Sequence, residues 1–284
     1  MTARVDFLAV RPHPDDESSA TGGLLAKYAA AGLRTGVVTC TGGEEGEIHD
    51  PDLVYEEAFP RLRHIREREL REACEVLGVS EIHLLGYRDS GMMGTDANKH
   101  PEAFWNVDVD AAAFRLAALM RRLRPRVVVT ENEHGGYGHP DHIMCHRITV
   151  RAWEMVGDLG APIDGDPWRP DRLFSLQSVV EGWDTILDMM RAEGLDTTEL
   201  EKMMERRRQN VPATNWDHVH AAVDVADYAH VQREALLRHR TQIPPNSFFM
   251  GLPPHIRKRA FATTYLRRLH PGHPPEERLT DLFA

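Results

Sequence analysis

Cysteine is scarce in this chain, which has three cysteines among 284 residues and no pair at C-x-x-C spacing. An odd and sparse set argues against a disulfide framework and fits a reducing compartment. A structural zinc site would usually need clustered cysteines, which the sequence does not offer. We therefore expect a cytoplasmic protein in which Cys40, Cys74 and Cys145 are small buried residues.

Long apolar runs are also missing, since no stretch approaches the roughly 18 residues that a membrane-spanning helix needs. The N-terminal region carries Asp6 and lacks the apolar segment of a signal peptide, so we expect neither a span nor a leader. Basic residues are in deficit, with 34 Lys and Arg against 44 Asp and Glu and a net charge of −10. That balance disfavours a nucleic-acid-binding surface.

Strands and helices alternate along the first part of the chain. Apolar and β-branched runs predict strands, and helical spacing with glycine stops predicts the helices between them. The alternation favours βαβ units and a mainly parallel sheet, hence an α/β fold. The predicted strands cover 5–10, 35–40, 82–85 and 126–130, and the predicted helices cover 18–31, 62–77, 109–123 and 141–156.

The pattern weakens in the second part of the chain. Residues 162–170 are rich in Pro, Gly and Asp and resemble a connector. We predict a core over 1–160 and a smaller C-terminal lobe over 161–284 that shapes a substrate pocket. Within that lobe we expect a strand over 173–180, helices over 184–208 and 223–238, and a loop over 244–254.

Two related tetrapeptides carry the chemistry, His13–Asp16 (HPDD) and His139–His142 (HPDH). Each places two metal-competent side chains three residues apart and adds a further carboxylate. Each also follows a predicted strand, where open α/β sheets bind their ligands. Two histidines and one carboxylate, with a position left for water, form a typical hydrolytic zinc site. The motifs therefore indicate a metal-dependent hydrolase.

Four side chains compete for three metal positions, and we assign His13, Asp16 and His142 as the ligands. Asp15 then lies beside the ion and can accept a proton from water. His139 faces the substrate, where it protonates the leaving nitrogen or stabilises the oxyanion. Asp141 is suited to fix the tautomer of a histidine.

Other functions stay open at this point. The same ligands could hold Fe²⁺ in an oxygenase, and a phosphoesterase could use them as well. A non-catalytic sugar-binding protein would not need Asp15 and His139, which are both present. Zn²⁺ is the expected metal, although Fe²⁺ or Co²⁺ would also be accepted. A homo-oligomer is possible.

The two motifs also resemble the signature of the LmbE/PIG-L family of zinc-dependent N-deacetylases. The resemblance includes Gly135–Gly138 before the second motif, Val38–Glu47 (VTCTGGEEGE) and Arg88–Met92 (RDSGM). A later segment, His239–Ile243 (HRTQI), resembles the branch of that family that makes and uses mycothiol. That branch contains N-acetylglucosaminyl-inositol deacetylases and mycothiol S-conjugate amidases.

The resemblance implies a Rossmann-like three-layer fold and hydrolysis of an amide on the 2-nitrogen of a glucosamine, a small-molecule substrate. It assigns the metal ligands, base and acid to the same residues as above. Tyr137 matches a mobile tyrosine that polarises the amide carbonyl. Arg66 and Asp89 match positions that hold sugar or inositol hydroxyls, and Glu47 and Met92 lie in segments expected to frame the pocket.

Overall fold

The computed structural model describes residues 4–177, 179, 182–210, 214–244, 247–272 and 277–284. Its centre is a seven-stranded sheet with the strand order β3-β2-β1-β4-β5-β7-β6. The first five strands in that order run parallel, and β7 pairs antiparallel with both β5 and β6. The strands are β1 (Phe7–Arg11), β2 (Thr35–Thr41), β3 (Glu81–Tyr87), β4 (Val127–Thr130), β5 (Arg172–Leu176), β6 (Ala221–Asp224) and β7 (Thr263–His270).

Helices cover both faces of this sheet. The α-helices are α1 (Asp16–Ala30), α2 (Tyr55–Ala58), α3 (Leu62–Leu77), α4 (Val109–Leu123), α5 (Gly135–Gly138), α6 (Pro140–Val156), α7 (Gly182–Ala192), α8 (Thr198–Asn210), α9 (Ala229–Leu236), α10 (Phe248–Gly251) and α11 (Pro254–Ala260). Short 3₁₀ helices lie at Phe59–Arg61, Ala97–Lys99, Phe104–Asn106, Trp216–His218 and Ala226–Tyr228. Among the described residues, no helix is long and apolar enough to cross a membrane.

The central strands are buried on both faces, as parallel strands covered by helices must be. Every residue of β1, β2 and β4 is buried. Alternate residues of β1 belong to different apolar clusters: Leu8 packs with α4 and α6, and Phe7 packs with α1 and α3. The sheet is thus the middle of three layers, and the predicted α/β fold is confirmed.

The first half of the chain follows its sequence signals closely. α3 and α4 occupy the predicted residues because both have clear ends. Gly78, with φ of 73°, closes α3 in the left-handed conformation that favours glycine. The Asp108 side chain accepts a hydrogen bond from the Ala111 N–H and so caps the start of α4.

The second half departs from its predictions at several places. The single helix predicted over 184–208 is two helices, α7 and α8, separated around Gly194, whose φ is 68°. The helix predicted over 223–238 begins as strand β6 and becomes α-helical only in α9, after a short 3₁₀ helix. Residues 221–224 form a strand because they pair with β7, which is distant in sequence. Local periodicity cannot reveal such pairing.

The remaining predicted elements of this half differ at their ends. The strand predicted over 173–180 ends at Leu176, and Val180 lies outside the described residues. The loop predicted over 244–254 contains the short helix α10.

Strands β5, β6 and β7 extend the sheet that the first 160 residues begin. The boundary between a core and a C-terminal lobe at 160/161 stays a prediction.

Arg121 ties the connector after α6 to the core. The residue is 3% exposed, and its guanidinium donates to the carbonyls of Val156, Asp158, Ile163 and Gly165 at 2.5–3.2 Å. Arg121 can be buried because four carbonyl acceptors satisfy its hydrogen-bond donors.

We expect Arg121→Met to lower the free energy of unfolding by about 2–4 kcal/mol, because buried carbonyls lose a charged donor. Arg122 is exposed and adjacent, so Arg122→Met should change that free energy by less than about 0.5 kcal/mol. Urea denaturation of both variants measures the difference. Equal effects of the two substitutions would contradict the assigned role of Arg121.

Candidate functional site

The two motif loops meet because their strands are neighbours. β1 pairs in parallel with β4, with Phe7 opposite Val127 and Ala9 opposite Val129. Both strands therefore end at the same edge of the sheet. The HPDD loop follows β1 and leads into α1, and the HPDH loop follows β4 and leads into α6. The carboxyl edge of the sheet is where open α/β folds place their sites.

His13, Asp16 and His142 come together at this edge. Each offers a ligand atom, and these atoms lie within 4.8 Å of one another. Asp16 Oδ2 is 3.2 Å from His13 Nδ1 and 3.6 Å from His142 Nε2, so one carboxylate oxygen faces both rings. The three residues are at most 9% exposed. The arrangement could hold a divalent metal ion of the kind that imidazole and carboxylate ligands bind.

The far nitrogen of each imidazole faces a buried carboxylate. His13 Nε2 lies 3.2 Å from Asp141 Oδ2, and His142 Nδ1 lies 3.2 Å from Glu131 Oε1. Asp141 is fully buried and also accepts from the backbone N–H and the hydroxyl of Ser90. Such carboxylate–histidine pairs fix ring orientation and tautomer at metal sites.

These acids control the charge of the cluster. Burial by itself lowers the pKa of His13, but Asp89, Asp141 and Asp16 outweigh it and raise that pKa well above its ordinary value. Burial raises the pKa of Asp16, but the nearby His142, His13 and Arg11 hold it well below its ordinary value. Asp16 is therefore ionised and can act as an anionic ligand.

Asp15 occupies an unusual backbone conformation at the start of α1. Its φ is 120°, a region that residues other than glycine rarely enter. Its carboxylate lies 3.2 Å from Arg66 Nη2. Burial raises the pKa of Asp15 to about 6, although Arg66 opposes that rise. A carboxylate with such a pKa is well suited to accept and return a proton near neutral pH.

His139 caps α6, because its Nδ1 accepts a hydrogen bond of 3.1 Å from the Asp141 N–H. Since Nδ1 accepts, the proton of the neutral ring is on Nε2. Burial and the neighbouring His13 and His142 lower the pKa of His139 to about 3. His139 is therefore a neutral hydrogen-bond donor at physiological pH.

Tyr137 projects from α5, the single turn between β4 and α6, and is 55% exposed. Gly136 and Gly138 beside it have φ of 67° and 92°, which lets the chain turn sharply. The Tyr137 ring centroid is 5.5 Å from that of His142 and 6.0 Å from that of His139. Partial desolvation, together with the nearby acids Asp16 and Asp15, raises the pKa of Tyr137, so the phenol stays protonated.

A cavity of about 410 Å³ opens over these groups. Every site residue named from the sequence lines it except Asp141, which lies buried behind His13. Beyond the groups already described, its wall contains Asp89, Glu47, Met92, Glu45 and Gln242. A second cavity of about 410 Å³ adjoins it and shares Asp16, Ser19, Tyr137 and His142 with it.

The four residues expected to bind substrate differ in how they are engaged. Arg66 lies in the wall, but its guanidinium already donates to the carbonyls of Gly43 and Pro14 and faces Asp15. Asp89 is 3% exposed and accepts from the Gly91 N–H. Glu47 has a largely exposed carboxylate 3.0 Å from His49 Nε2. Met92 is 45% exposed.

Sequence reasoning missed Glu131 and its partner Arg11. Arg11 is 1% exposed and its Nη2 lies 2.5 Å from Glu131 Oε1, so a buried cation balances a buried acid. Both residues stand at the carboxyl ends of β1 and β4, and a charged residue ending an apolar strand is the signal that could have found them. Ser90, which holds Asp141, was missed as well.

A second group of possible ligands overlaps the first. His13, Asp89 and His139 also place ligand atoms within 4.8 Å of one another. The sequence motifs did not suggest this group because Asp89 comes from the segment after β3. The two groups share His13, so they describe one connected cluster of acids and imidazoles.

Comparison with known proteins identifies the family of this chain. The family model described as PIG-L: GlcNAc-PI de-N-acetylase matches residues 8–153, which contain both motifs. The 1D-myo-inositol 2-acetamido-2-deoxy-alpha-D-glucopyranoside deacetylase of Thermobifida fusca (strain YX) is 39% identical over 98% of this chain and 98% of its own length.

Two solved structures share the fold at low identity. The N,N'-diacetylchitobiose deacetylase from Pyrococcus horikoshii has a TM-score of 0.62 at 19% identity, covering 93% of this chain and 83% of its own. The 4-carboxy-2-hydroxymuconate hydratase GalB from Pseudomonas putida KT2440 has a TM-score of 0.64 at 15% identity, covering 97% and 99%. On the family match and the T. fusca relative together, the chain belongs to the PIG-L family of GlcNAc-PI de-N-acetylases.

Proposed function

We propose that this protein is a zinc-dependent N-deacetylase that hydrolyses the amide on the 2-nitrogen of a glucosamine-type substrate. The observation that carries the proposal is the meeting of His13, Asp16 and His142 beside two groups whose pKa values are shifted in opposite directions. Asp15 has a pKa of about 6 and His139 a pKa of about 3. When the pKa of one titratable group is raised and that of its neighbour is lowered, the first is suited to accept a proton and the second to donate a hydrogen bond as a neutral group.

The donor set fits zinc. Two imidazoles and one ionised carboxylate converge, and each imidazole has a carboxylate behind it. A bound Zn²⁺ would lower the pKa of a water molecule at the open position and polarise the amide carbonyl. Fe²⁺ or Co²⁺ would suit the same donors, and zinc is our proposal because hydrolytic sites of this composition usually hold it.

Asp15 takes the proton from the attacking water. Its carboxylate lines the cavity, and Arg66 holds it from behind at 3.2 Å. Once protonated, Asp15 is the nearby acid for the leaving nitrogen, which must gain a proton as the C–N bond breaks. His139 is a poor acid for this step because its ring carries no extra proton at neutral pH.

His139 and Tyr137 stabilise the oxyanion of the tetrahedral intermediate. The His139 Nε2–H and the Tyr137 hydroxyl are donors that stay protonated, and both side chains line the cavity. Donors of this kind, fixed before reaction, act where charge develops. Asp141 and Glu131 keep the rings of His13 and His142 in the orientation that binding requires.

The acidic wall of the cavity binds the sugar. Carboxylates accept hydrogen bonds from hydroxyl groups, so Asp89 and Glu47 suit a polyol. We propose that Arg66 acts mainly through Asp15 and the loop backbone, and that Met92 bounds the cavity mouth. Leu236, Gln242 and Ile243 also line the cavity. The segment after residue 160 thereby helps to select the aglycone, and the T. fusca relative suggests an inositol there.

We also propose that the protein works in the cytoplasm. Cys40, Cys74 and Cys145 are unpaired and buried. Secreted proteins more often pair their cysteines, and a reducing compartment requires no pairing.

The zinc-loaded protein should release a primary amine from an N-acetylglucosaminyl glycoside. A panel of free GlcNAc, GlcNAc-inositol, GlcNAc-malate and a mycothiol S-conjugate, assayed with an amine-reactive fluorophore, identifies the aglycone. We expect release from GlcNAc-inositol in preference to free GlcNAc. Consumption of oxygen or release of phosphate from suitable substrates, with no amine released from any panel member, would contradict the proposed reaction.

Asp15→Asn should lower kcat by about 10²–10⁴-fold with little change in bound zinc, because the amide cannot accept the proton. Asparagine is close in shape to aspartate and keeps the backbone hydrogen bonds of residue 15, so the backbone should persist. Steady-state kinetics and metal analysis of the same preparation test this expectation. A kcat near that of the wild type would remove Asp15 from the role of base.

His142→Ala should lose most of its zinc and its activity, because one of three ligands is removed. His146 is the matched control, since it lies one turn further along α6 and its Nδ1 faces the Glu131 carbonyl at 2.8 Å. His146→Ala should bind zinc as the wild type does. Retention of zinc by His142→Ala, measured after dialysis against a weak chelator, would contradict the assigned ligand set.

A further inference from the structure

The backbone of Asp15 is held in a conformation that its own side chain disfavours. Among the described residues, Asp15 and Arg124 are the non-glycine residues with positive φ, at 120° and 52°. Arg124 lies in the common left-handed region at a helix end, whereas Asp15 lies outside it. A residue remains in such a region only where its surroundings over-determine it. The contacts of Asp15 therefore identify what sets the position of its carboxylate.

Hydrogen bonds restrain Asp15 on both sides of its Cα. The Ser18 and Ser19 N–H groups donate to its carbonyl at 3.1 and 2.8 Å, which is ordinary helix-start geometry. Its own N–H donates to Glu17 Oε2 at 2.9 Å, a contact that points the amide back toward α1. The Glu17 carboxylate is thus the acceptor that matches the unusual φ.

Glu17 is fully buried and needs partners of its own. Its Oε1 accepts from the Ser18 hydroxyl at 2.5 Å and faces His239 Nε2 at 2.7 Å. Glu17 and His239 are both 0% exposed. A buried carboxylate without such partners would be costly, so His239 is what allows an acid at position 17.

His239 belongs to the segment His239–Ile243, which follows α9 and is firmly anchored. The Thr241 N–H and hydroxyl donate to Glu69 of α3 at 2.9 and 2.6 Å. The Thr241 carbonyl accepts from the His49 N–H at 2.8 Å. These contacts hold His239 against Glu17 although 222 residues separate the two in sequence.

We propose that Glu17 and His239 form a buried pair that holds Asp15 in its positive-φ conformation, which makes both of them positioning residues for the base. The proposal rests on the role of Asp15 in the proposed function. The His239–Ile243 segment, in the second half of the chain, thereby positions Asp15 in the first half. Neither side chain lines the cavity, so each acts through Asp15.

The test compares variants of this pair with a control in the same segment. Glu17→Met and His239→Leu remove the acceptor or its partner while keeping volume, and Glu17→Gln keeps an oxygen that can accept the Asp15 N–H. Thr241→Val removes a buried hydroxyl–carboxylate contact of the same segment without touching Glu17. For each zinc-loaded protein we would measure kcat, KM, zinc content, Tm and a crystal structure.

We expect Glu17→Met and His239→Leu to lower kcat by at least about 10-fold, with zinc content and KM close to wild type, because base placement acts on the chemical step. Their crystal structures should show Asp15 out of the positive-φ region. Glu17→Gln should keep that φ and most of kcat. Thr241→Val should lower Tm but keep kcat.

The proposal would be overturned if both pair variants kept the wild-type φ at Asp15 and the wild-type kcat. It would also be overturned if Thr241→Val lost as much kcat as the pair variants do. Should one pair variant fail to fold, the other still decides, because each removes one member of the pair. If the wild type releases no amine from any substrate, the proposed function fails. The crystallographic φ of Asp15 in the variants then tests the pair independently of the reaction.

Discussion

The parallel pairing of β1 with β4 is the constraint on which the site depends. Their register brings two loops more than a hundred residues apart to one edge of the sheet. Both helices that follow begin at the site, so their first residues, including Asp16 and Pro140, carry or adjoin the functional groups. The strands are buried on both faces, and their apolar contacts hold this edge in place.

Placing so many ionisable groups at a buried edge requires that their charges balance. Arg11 faces Glu131, which faces His142; Asp141 faces His13, which faces Asp16. Each of the three acids, Glu131, Asp141 and Asp16, has a cationic or hydrogen-bond-donating partner, which a buried carboxylate requires. The same environment sets the protonation states of the site. Asp16 is ionised, the pKa of Asp15 is raised and the pKa of His139 is lowered.

The fold by itself does not select the reaction. The same architecture supports a hydratase and a deacetylase among solved structures of low identity to this chain. We propose that the residues at the carboxyl edge select the reaction, and that the second half of this chain contributes to that choice. The segment after α9 reaches across α1 and α3 to line the cavity with Gln242 and Ile243 and to contact Glu17 through His239.

The sequence by itself determined the α/β class, the ends of α3 and α4, and the two motifs. These features are local: periodicity, caps and strand-end positions can be read within a dozen residues. Only the tertiary structure decided that residues 221–224 form a strand, that Arg11 and Glu131 are a buried pair, and that His239 contacts Glu17. Those outcomes depend on pairing and burial between distant segments, so a local pattern can mark a single residue such as Arg11 but cannot identify its partner.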